Sequence, residues 1–143
     1  MPAASPIPPG YPTVCPNLVV EGAARLLTFL ERAFGATTRA CNANADGSFA
    51  HAEVAIRDSV VLVSDVEPAA APTVSSLHLY VEDVDEVYRA AMGAGGKADG
   101  PREDGFWGDR TVNIFDPGAN RWWVSTHIED LTEEEIAERA TRL

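Results

Sequence analysis

The chain has 143 residues, 45% of them hydrophobic, which is enough for one globular domain or for two small modules that share a core. Its formal net charge of −11 and its pI of about 4.5 disfavour nucleic acid and anionic membranes as partners. Cys15 and Cys41 are the only cysteines, so the sequence predicts no disulfide framework and favours a reducing, cytoplasmic location.

The first half of the chain predicts a proline-rich arm and one mixed module. Residues 1–12 lack a basic start and an apolar stretch, so they are expected to form an extended arm and not a signal peptide. Residues 13–65 are expected to form the first module, with a helix that Gly35 ends. Its strand, helix and three further strands are predicted over 13–20, 23–34, 37–42, 48–56 and 60–64.

The second half repeats this pattern after a linker at 66–73. The second module, 74–128, is expected to contain a strand, a helix, a short strand and a hairpin, over 75–81, 83–92, 97–101, 110–115 and 121–126. Asp116-Pro117-Gly118 forms the hairpin turn, because proline fixes φ and glycine tolerates positive φ. Residues 129–143 predict a C-terminal helix that Thr132 caps, with Glu135 completing a capping box and Leu143 on its apolar stripe. No apolar run approaches the ~18 residues of a membrane span.

Short matches support an internal repeat. Val20-Glu21 recurs as Val81-Glu82, Gly35 recurs as Gly95, and Asp58 recurs as Asp116, at nearly constant spacing. Such spacing is typical of duplication followed by small changes in loops. The sequence therefore predicts an α+β fold of two βαβββ modules.

Three longer motifs resemble those of one family. LHLYVEDVDEVYRAAMGAGG at 77–96, the DPGAN turn at 116–120 and THIEDLTEEEIAER at 126–139 occur in an order that resembles the glyoxalase / bleomycin-resistance / extradiol-dioxygenase (vicinal oxygen chelate) superfamily, and within it the PhnB-like branch. The resemblance extends over roughly residues 11–139. It implies that each module curls into a half-barrel around a cleft. It also implies that two modules face each other, within one chain or across a domain-swapped homodimer.

The resemblance also indicates where a metal would bind in this family. Metal-using members have a histidine at the start of each module's first strand and a glutamate or similar ligand on its last strand. Those positions fall here on Cys15, on Ser76, on Trp123 and on the apolar strand at 60–64. A divalent ion needs about three histidine or carboxylate ligands. The usual metal centre is therefore expected to be missing, and no cofactor is expected.

His51, Glu53 and His78 are the remaining candidate ligands. His51 and Glu53 lie two positions apart on a predicted strand, so their side chains leave the same face. His78 lies on the first strand of the second module, where it is placed to converge on them across the cleft. These three residues form an alternative set for zinc, nickel or manganese, or for acid/base catalysis. The other interpretation is a hydrogen-bonded polar pair that lines a pocket or a dimer interface.

Aromatic residues suggest a different site. Because side chains alternate along a strand, Trp122 is expected in the core and Trp123 in the cleft, with Phe49 and Trp107 as further walls. Asp109 is expected to point to the same cleft, where it would either receive a cationic ligand or form an ion pair. His127, beyond the last predicted strand, is expected to be a surface residue.

These residues leave three hypotheses open. The first is a homodimer that binds a hydrophobic or planar small molecule, such as an antibiotic, without a metal. The second is a metal-dependent lyase, isomerase or thiol transferase that uses His51, Glu53 and His78. The third is a structural or regulatory dimer without a small ligand.

Overall fold

The computed structural model describes residues 3–142. Met1 and Pro2 of the predicted arm, and Leu143 of the predicted C-terminal helix, lie outside the described residues. The elements in chain order are β1 (Asn17–Val20), α1 (Ala23–Phe34), β2 (Thr37–Ala43), β3 (Phe49–Ile56), β4 (Ser59–Asp65), β5 (Ser76–Tyr80), α2 (Val84–Gly93), β6 (Lys97–Ala98), β7 (Glu103–Asp104), β8 (Asp109–Phe115), β9 (Arg121–His127) and α3 (Glu133–Ala140). Within residues 3–142, no helix combines the length and apolarity needed to span a bilayer.

Two strands differ from the sequence prediction by more than one residue at an end. β1 begins at Asn17 and not at residue 13, because Pro16 has no N–H for a ladder and contributes only its carbonyl, which accepts from Leu62 N at 2.8 Å. β6 ends at Ala98 and not at residue 101, since Gly100 has a φ of +84° and a proline follows it. The unpredicted β7 follows this break and pairs with β8.

The chain forms two sheets of the same plan. The first has the order β1-β4-β3-β2, and the second has the order β5-β9-β8-β6, with β7 also on β8. In each sheet the first strand of the module pairs in parallel with the last, and the other pairs are antiparallel. This α+β architecture confirms the predicted fold.

The helices of both modules pack on one side of the sheets. α1 and α2 contact each other, and each also contacts strands of its own module. Phe34, the last residue of α1, lies with its ring centroid 4.8 Å from that of Trp122 on β9. The side chains of β9 therefore divide between a helix side, with the buried Trp122 and Val124, and the opposite side.

We call this opposite side of the second sheet the open face. Cross-strand partners lie on the same face of a sheet, and Trp123 pairs with Asn113, Ser125 with Thr111, and His127 with Asp109. The open face is therefore formed by three strands, through His78 and Tyr80 of β5, Asp109, Thr111 and Asn113 of β8, and Trp123, Ser125 and His127 of β9.

The turn between β8 and β9 fixes this division. Asp116 is only 5% exposed, and its Oδ1 accepts hydrogen bonds from Gly118 N at 2.8 Å and Asn120 N at 3.0 Å. Its Oδ2 accepts from the indole Nε1 of Trp122 at 2.8 Å. Asn120 in turn accepts from Ser75 N at 3.0 Å, which joins the turn to the start of β5. One carboxylate thus holds the turn and anchors Trp122 on the helix side.

We expect Asp116→Asn to lower the free energy of unfolding by about 2 kcal/mol, because an amide N–H₂ would replace an oxygen that accepts buried hydrogen bonds. The matched control is Asp58→Asn, in the equivalent turn between β3 and β4, where the exposed carboxylate accepts only from Ser59 Oγ at 3.3 Å. Denaturant titration of both variants measures the difference. Equal unfolding midpoints for the two variants would contradict the role given to Asp116.

Candidate functional site

Trp123 lies near the centre of the open face. Its side chain is half-buried, and its Nε1 donates to Ser76 Oγ at 3.2 Å. The guanidinium carbon of Arg121 lies 4.5 Å from the ring centroid, within the range of a cation–π contact. Trp123 is thus held on the face opposite the helices, as the alternation along the strand predicts.

An aromatic pair on β5 continues this surface. His78 is the register partner of Trp123, so the two residues are neighbours across adjacent strands. The ring of His78 stacks on that of Tyr80, with centroids 4.8 Å apart and an angle of 22°. His78 Nε2 and Ser125 Oγ are 2.9 Å apart, and Ser125 Oγ is 2.7 Å from Thr111 Oγ1. The open face therefore carries a row of aromatic rings above hydroxyl groups.

Asp109 lies at one end of this row and is fully engaged. It is 1% exposed, and its Oδ2 accepts from Tyr80 Oη at 2.6 Å and from Trp107 Nε1 at 3.0 Å. Its Oδ1 lies 2.8 Å from His127 Nδ1. The contact with His127 is an ion pair when the imidazole is protonated. That Asp109 receives a cationic ligand stays a prediction.

Trp107 reaches Asp109 because Gly105, two residues before it, leaves room for its ring. The indole lies against Gly105, where an added Cβ would be 2.6 Å from the ring. Trp107 also makes an edge-to-face contact with Phe106, with centroids 4.9 Å apart. The ring expected as a wall of the cleft is thus tied by its N–H to the carboxylate at the end of the aromatic row.

His127 is the residue of this cluster whose contacts sequence reasoning missed. It was expected only as a surface residue, and its side chain is 51% exposed. Its Nε2, however, lies 2.8 Å from Asp130 Oδ1, so the imidazole is held between two carboxylates. The hairpin register that places residue 127 opposite residue 109 was the signal in the sequence that could have revealed this contact.

The protonation states of the cluster follow from these contacts. Burial by itself would raise the pKa of Asp109, but hydrogen bonds from Tyr80, His127 and Trp107 together outweigh it and lower that pKa. The hydrogen bond to Asp109, followed by that to Asp130, raises the pKa of His127. The hydrogen bond to Asp109 and burial raise the pKa of Tyr80. These contacts favour the protonated form of His127 and the ionised form of Asp109, relative to the free side chains.

A separate cluster lies on the first sheet, on the face that carries His51 and Glu53. His51 Nε2 lies 3.1 Å from Glu53 Oε1, so the predicted pair does meet. Tyr11 of the arm joins it, since its hydrogen bond with Glu53 raises the pKa of Tyr11 and lowers that of Glu53. Arg39 lies 5.0 Å from the centre of the Tyr11 ring. The part played by the arm was not predicted.

Phe49 differs from the other predicted wall residues. It is half-buried and packs against the hydrophobic core. Its backbone N–H donates to Asp65 Oδ2 at 2.8 Å.

The residues present do not fit the metal centre that the family resemblance implies. Cys15 Sγ donates to Pro12 O at 3.8 Å, Ser76 Oγ accepts from Trp123, and an indole is not a metal ligand. The alternative set is divided, because His78 bonds to Ser125 on the second sheet whereas His51 and Glu53 lie on the first. Among residues 3–142, no three His, Cys, Asp or Glu side chains are grouped so that they could hold an ion.

We expect NMR titration to give His127 a pKa above the ~6.5 of a free histidine, and Asp109→Asn to lower it more than Asp130→Asn does. Since the folded pKa is raised, the stability that this ion pair contributes is present below about pH 6.5 and is lost as the pH rises through the folded pKa. The contribution of Asp109 is lost at the acid end, as the pH falls through its lowered pKa. A His127 pKa at or below 6.5 would show that the imidazole is not held as described.

The chain is similar to several known proteins. The chain is 29% identical over 136 residues to the uncharacterised protein Rv0887c of Mycobacterium tuberculosis, covering 87% of this chain and 80% of the relative. It superposes on TioX from Micromonospora sp. ML1 with a TM-score of 0.64 and 24% identity, over 85% of this chain and 100% of TioX. It also superposes on the fosfomycin resistance protein FosX from Listeria monocytogenes with a TM-score of 0.64 and 15% identity, over 87% and 97% of the two chains.

One further FosX structure from Listeria monocytogenes, of a mutant, contains Mn(II) and 1S,2S-dihydroxypropylphosphonic acid. At these levels of identity the structural matches show a shared fold. The family model for the Glyoxalase/Bleomycin resistance protein/Dioxygenase superfamily matches residues 13–124, and the chain therefore belongs to that superfamily.

Proposed function

We propose that this protein binds a planar, largely hydrophobic small molecule on the open face of the second sheet, without a metal ion. The observation that carries the proposal is the position of Trp123, which stands where the family resemblance places a metal ligand. An indole offers a flat apolar surface of the kind that holds aromatic or hydrophobic ligands. Because a fosfomycin resistance protein shares the fold, an antibiotic is one class of ligand to test first.

The aromatic row supports a planar ligand. Trp123 and His78 are neighbours across two strands, and Tyr80 stacks on His78, so three rings lie side by side on one face. Stacked and edge-to-face aromatic contacts stabilise a flat ligand beyond the burial of its area. Tyr80 is large and partly apolar, yet it is 55% exposed. This exposure supports a surface that another molecule covers.

Two polar atoms beside Trp123 support an orientation for the ligand. In the part of the chain that the structure describes, Asn113 Oδ1 and Arg121 Nε are buried and have no hydrogen-bond partner. Buried polar atoms normally have one. Asn113 is the cross-strand partner of Trp123, and Arg121 lies over its ring. Both atoms are covered in the single chain, so a ligand would reach them only by displacing the groups over them. A ligand with a hydrogen-bond donor and an acceptor at the edge of its planar body, such as an amide, would then give both atoms a partner.

A second module is needed to enclose such a ligand. α1 and α2 do not cover the open face, because they pack on the other side of the second sheet. We propose a domain-swapped homodimer in which a module of a second copy faces the aromatic row. Placement in the PhnB-like branch and a cytoplasmic location are the other predictions from the sequence that belong to this proposal.

The metal-dependent alternative uses His51, Glu53 and His78. Its support is the contact between His51 and Glu53, and the position of His78 beside Ser125 counts against it. The contacts within one chain therefore favour the binding protein over the lyase, isomerase or thiol transferase.

We expect planar aromatic amides that quench the tryptophan fluorescence of the wild-type protein to lose at least about tenfold in affinity with Trp123→Ala, because a large stacking surface is removed. Trp123→Phe is the matched control and should retain most of the affinity, since it keeps an aromatic ring. Trp123 is only half-buried, so circular dichroism should show that both variants fold. Quenching that is the same in Trp123→Ala as in the wild type would contradict the proposed site.

A further inference from the structure

A separate cavity lies where the two sheets of the chain meet. It has a volume of about 350 Å³ and lies between the segment before β1, the turn between β3 and β4, and strand β5. We call it the junction cavity. β5 is an edge strand of the second sheet. The cavity therefore lies beside that edge, next to the chain segment that leads into β1.

The walls of the junction cavity are mainly apolar. Residues of four segments contribute to them, among them Val14, Val60, Leu77, Leu79 and Trp122. Leu77 pairs in register with Trp122, and Leu79 pairs with Val124, so these leucines lie on the helix side of the second sheet. Trp123, on the other side, is not one of the lining residues.

Val14 is the wall residue whose exposure needs an explanation. Its side chain is 79% exposed although it is apolar and lies at the mouth of a concave surface. A single exposed valine is common. Here, a ligand that covered Val14 and the neighbouring apolar wall would remove the apolar surface of both from water, which favours binding. Pro12 and Pro16, on either side of Val14, also line the cavity, and they restrict the backbone that carries it.

The polar groups of the cavity are few. His78 lines it from the edge strand β5, but its ring lies on the open face, where Nε2 is 2.9 Å from Ser125 Oγ and the ring stacks on Tyr80. Asp58 and Ser59 also contribute, but they bond to each other at 3.3 Å. Among the described lining residues there is no lysine or arginine to pair with an anion.

We infer that the junction cavity is a second binding site, for an uncharged and mainly aliphatic molecule. Its volume lies at the lower end of the range of about 300–1,000 Å³ for small-molecule sites, and apolar walls with a few polar groups are their usual composition. Trp123, which carries the function proposed for the open face, does not line this cavity, so the two sites can be tested separately although His78 borders both.

The test is isothermal titration calorimetry of the full chain with butanol, hexanol and octanol, which combine an aliphatic chain with one hydroxyl. We expect saturable binding of one molecule per chain and an affinity that rises about fourfold with each added methylene, as burial of CH₂ groups requires. Val14→Glu should lower the octanol affinity at least tenfold, because it places a carboxylate at the apolar wall. Val14 is exposed, so this change should leave the fold intact.

Val74→Glu is the matched control, because Val74 is an exposed valine, at 64%, that does not line the cavity. It should bind octanol as the wild type does. Trp123→Ala should also keep octanol binding, which separates this site from the open face even if that site binds nothing. The inference is overturned if octanol shows no saturable binding, if Val14→Glu binds it unchanged, or if Val74→Glu weakens it equally.

Discussion

The division of the second sheet into two faces depends on one buried carboxylate. Asp116 holds the turn between β8 and β9 and accepts a hydrogen bond from the indole of Trp122, which packs against Phe34 on the helix side. A shift of one residue in the register would exchange the two faces of β9. Anchoring Trp122 therefore also determines that Trp123 lies on the open face. The core of the protein and the character of its candidate site are fixed by the same interaction.

The same register assembles the rest of the open face. It places His127 opposite Asp109 and Ser125 opposite Thr111, and the parallel pairing of β5 with β9 adds His78 beside Trp123. Asp109, the carboxylate of this face, is hydrogen-bonded to Tyr80, Trp107 and His127, so it is not free to coordinate an ion. What the face still offers is a row of aromatic rings, which is a surface for an organic molecule.

Much of this could be predicted from the sequence, because it follows from local rules. Alternation placed Trp122 and Trp123 on opposite sides, and the glycine after Phe34 ended α1 as predicted. The fold class followed from the repeat and from the family resemblance. The bounds of the two modules, 13–65 and 74–128, stay a prediction. Contacts between distant segments could not be read in the same way: the Tyr11–Glu53 contact, the position of His127 between two carboxylates and the junction cavity all depend on how separate elements pack.

The central claim is that the site binds an organic ligand in place of a catalytic ion. The most direct test is metal analysis of the purified protein before and after chelation, with native mass spectrometry of the same samples. We expect metal analysis to find no stoichiometric divalent ion. We expect native mass spectrometry to show a dimer that retains a small organic molecule or binds one when it is added. Stoichiometric zinc, nickel or manganese that His51→Ala releases would contradict the central claim.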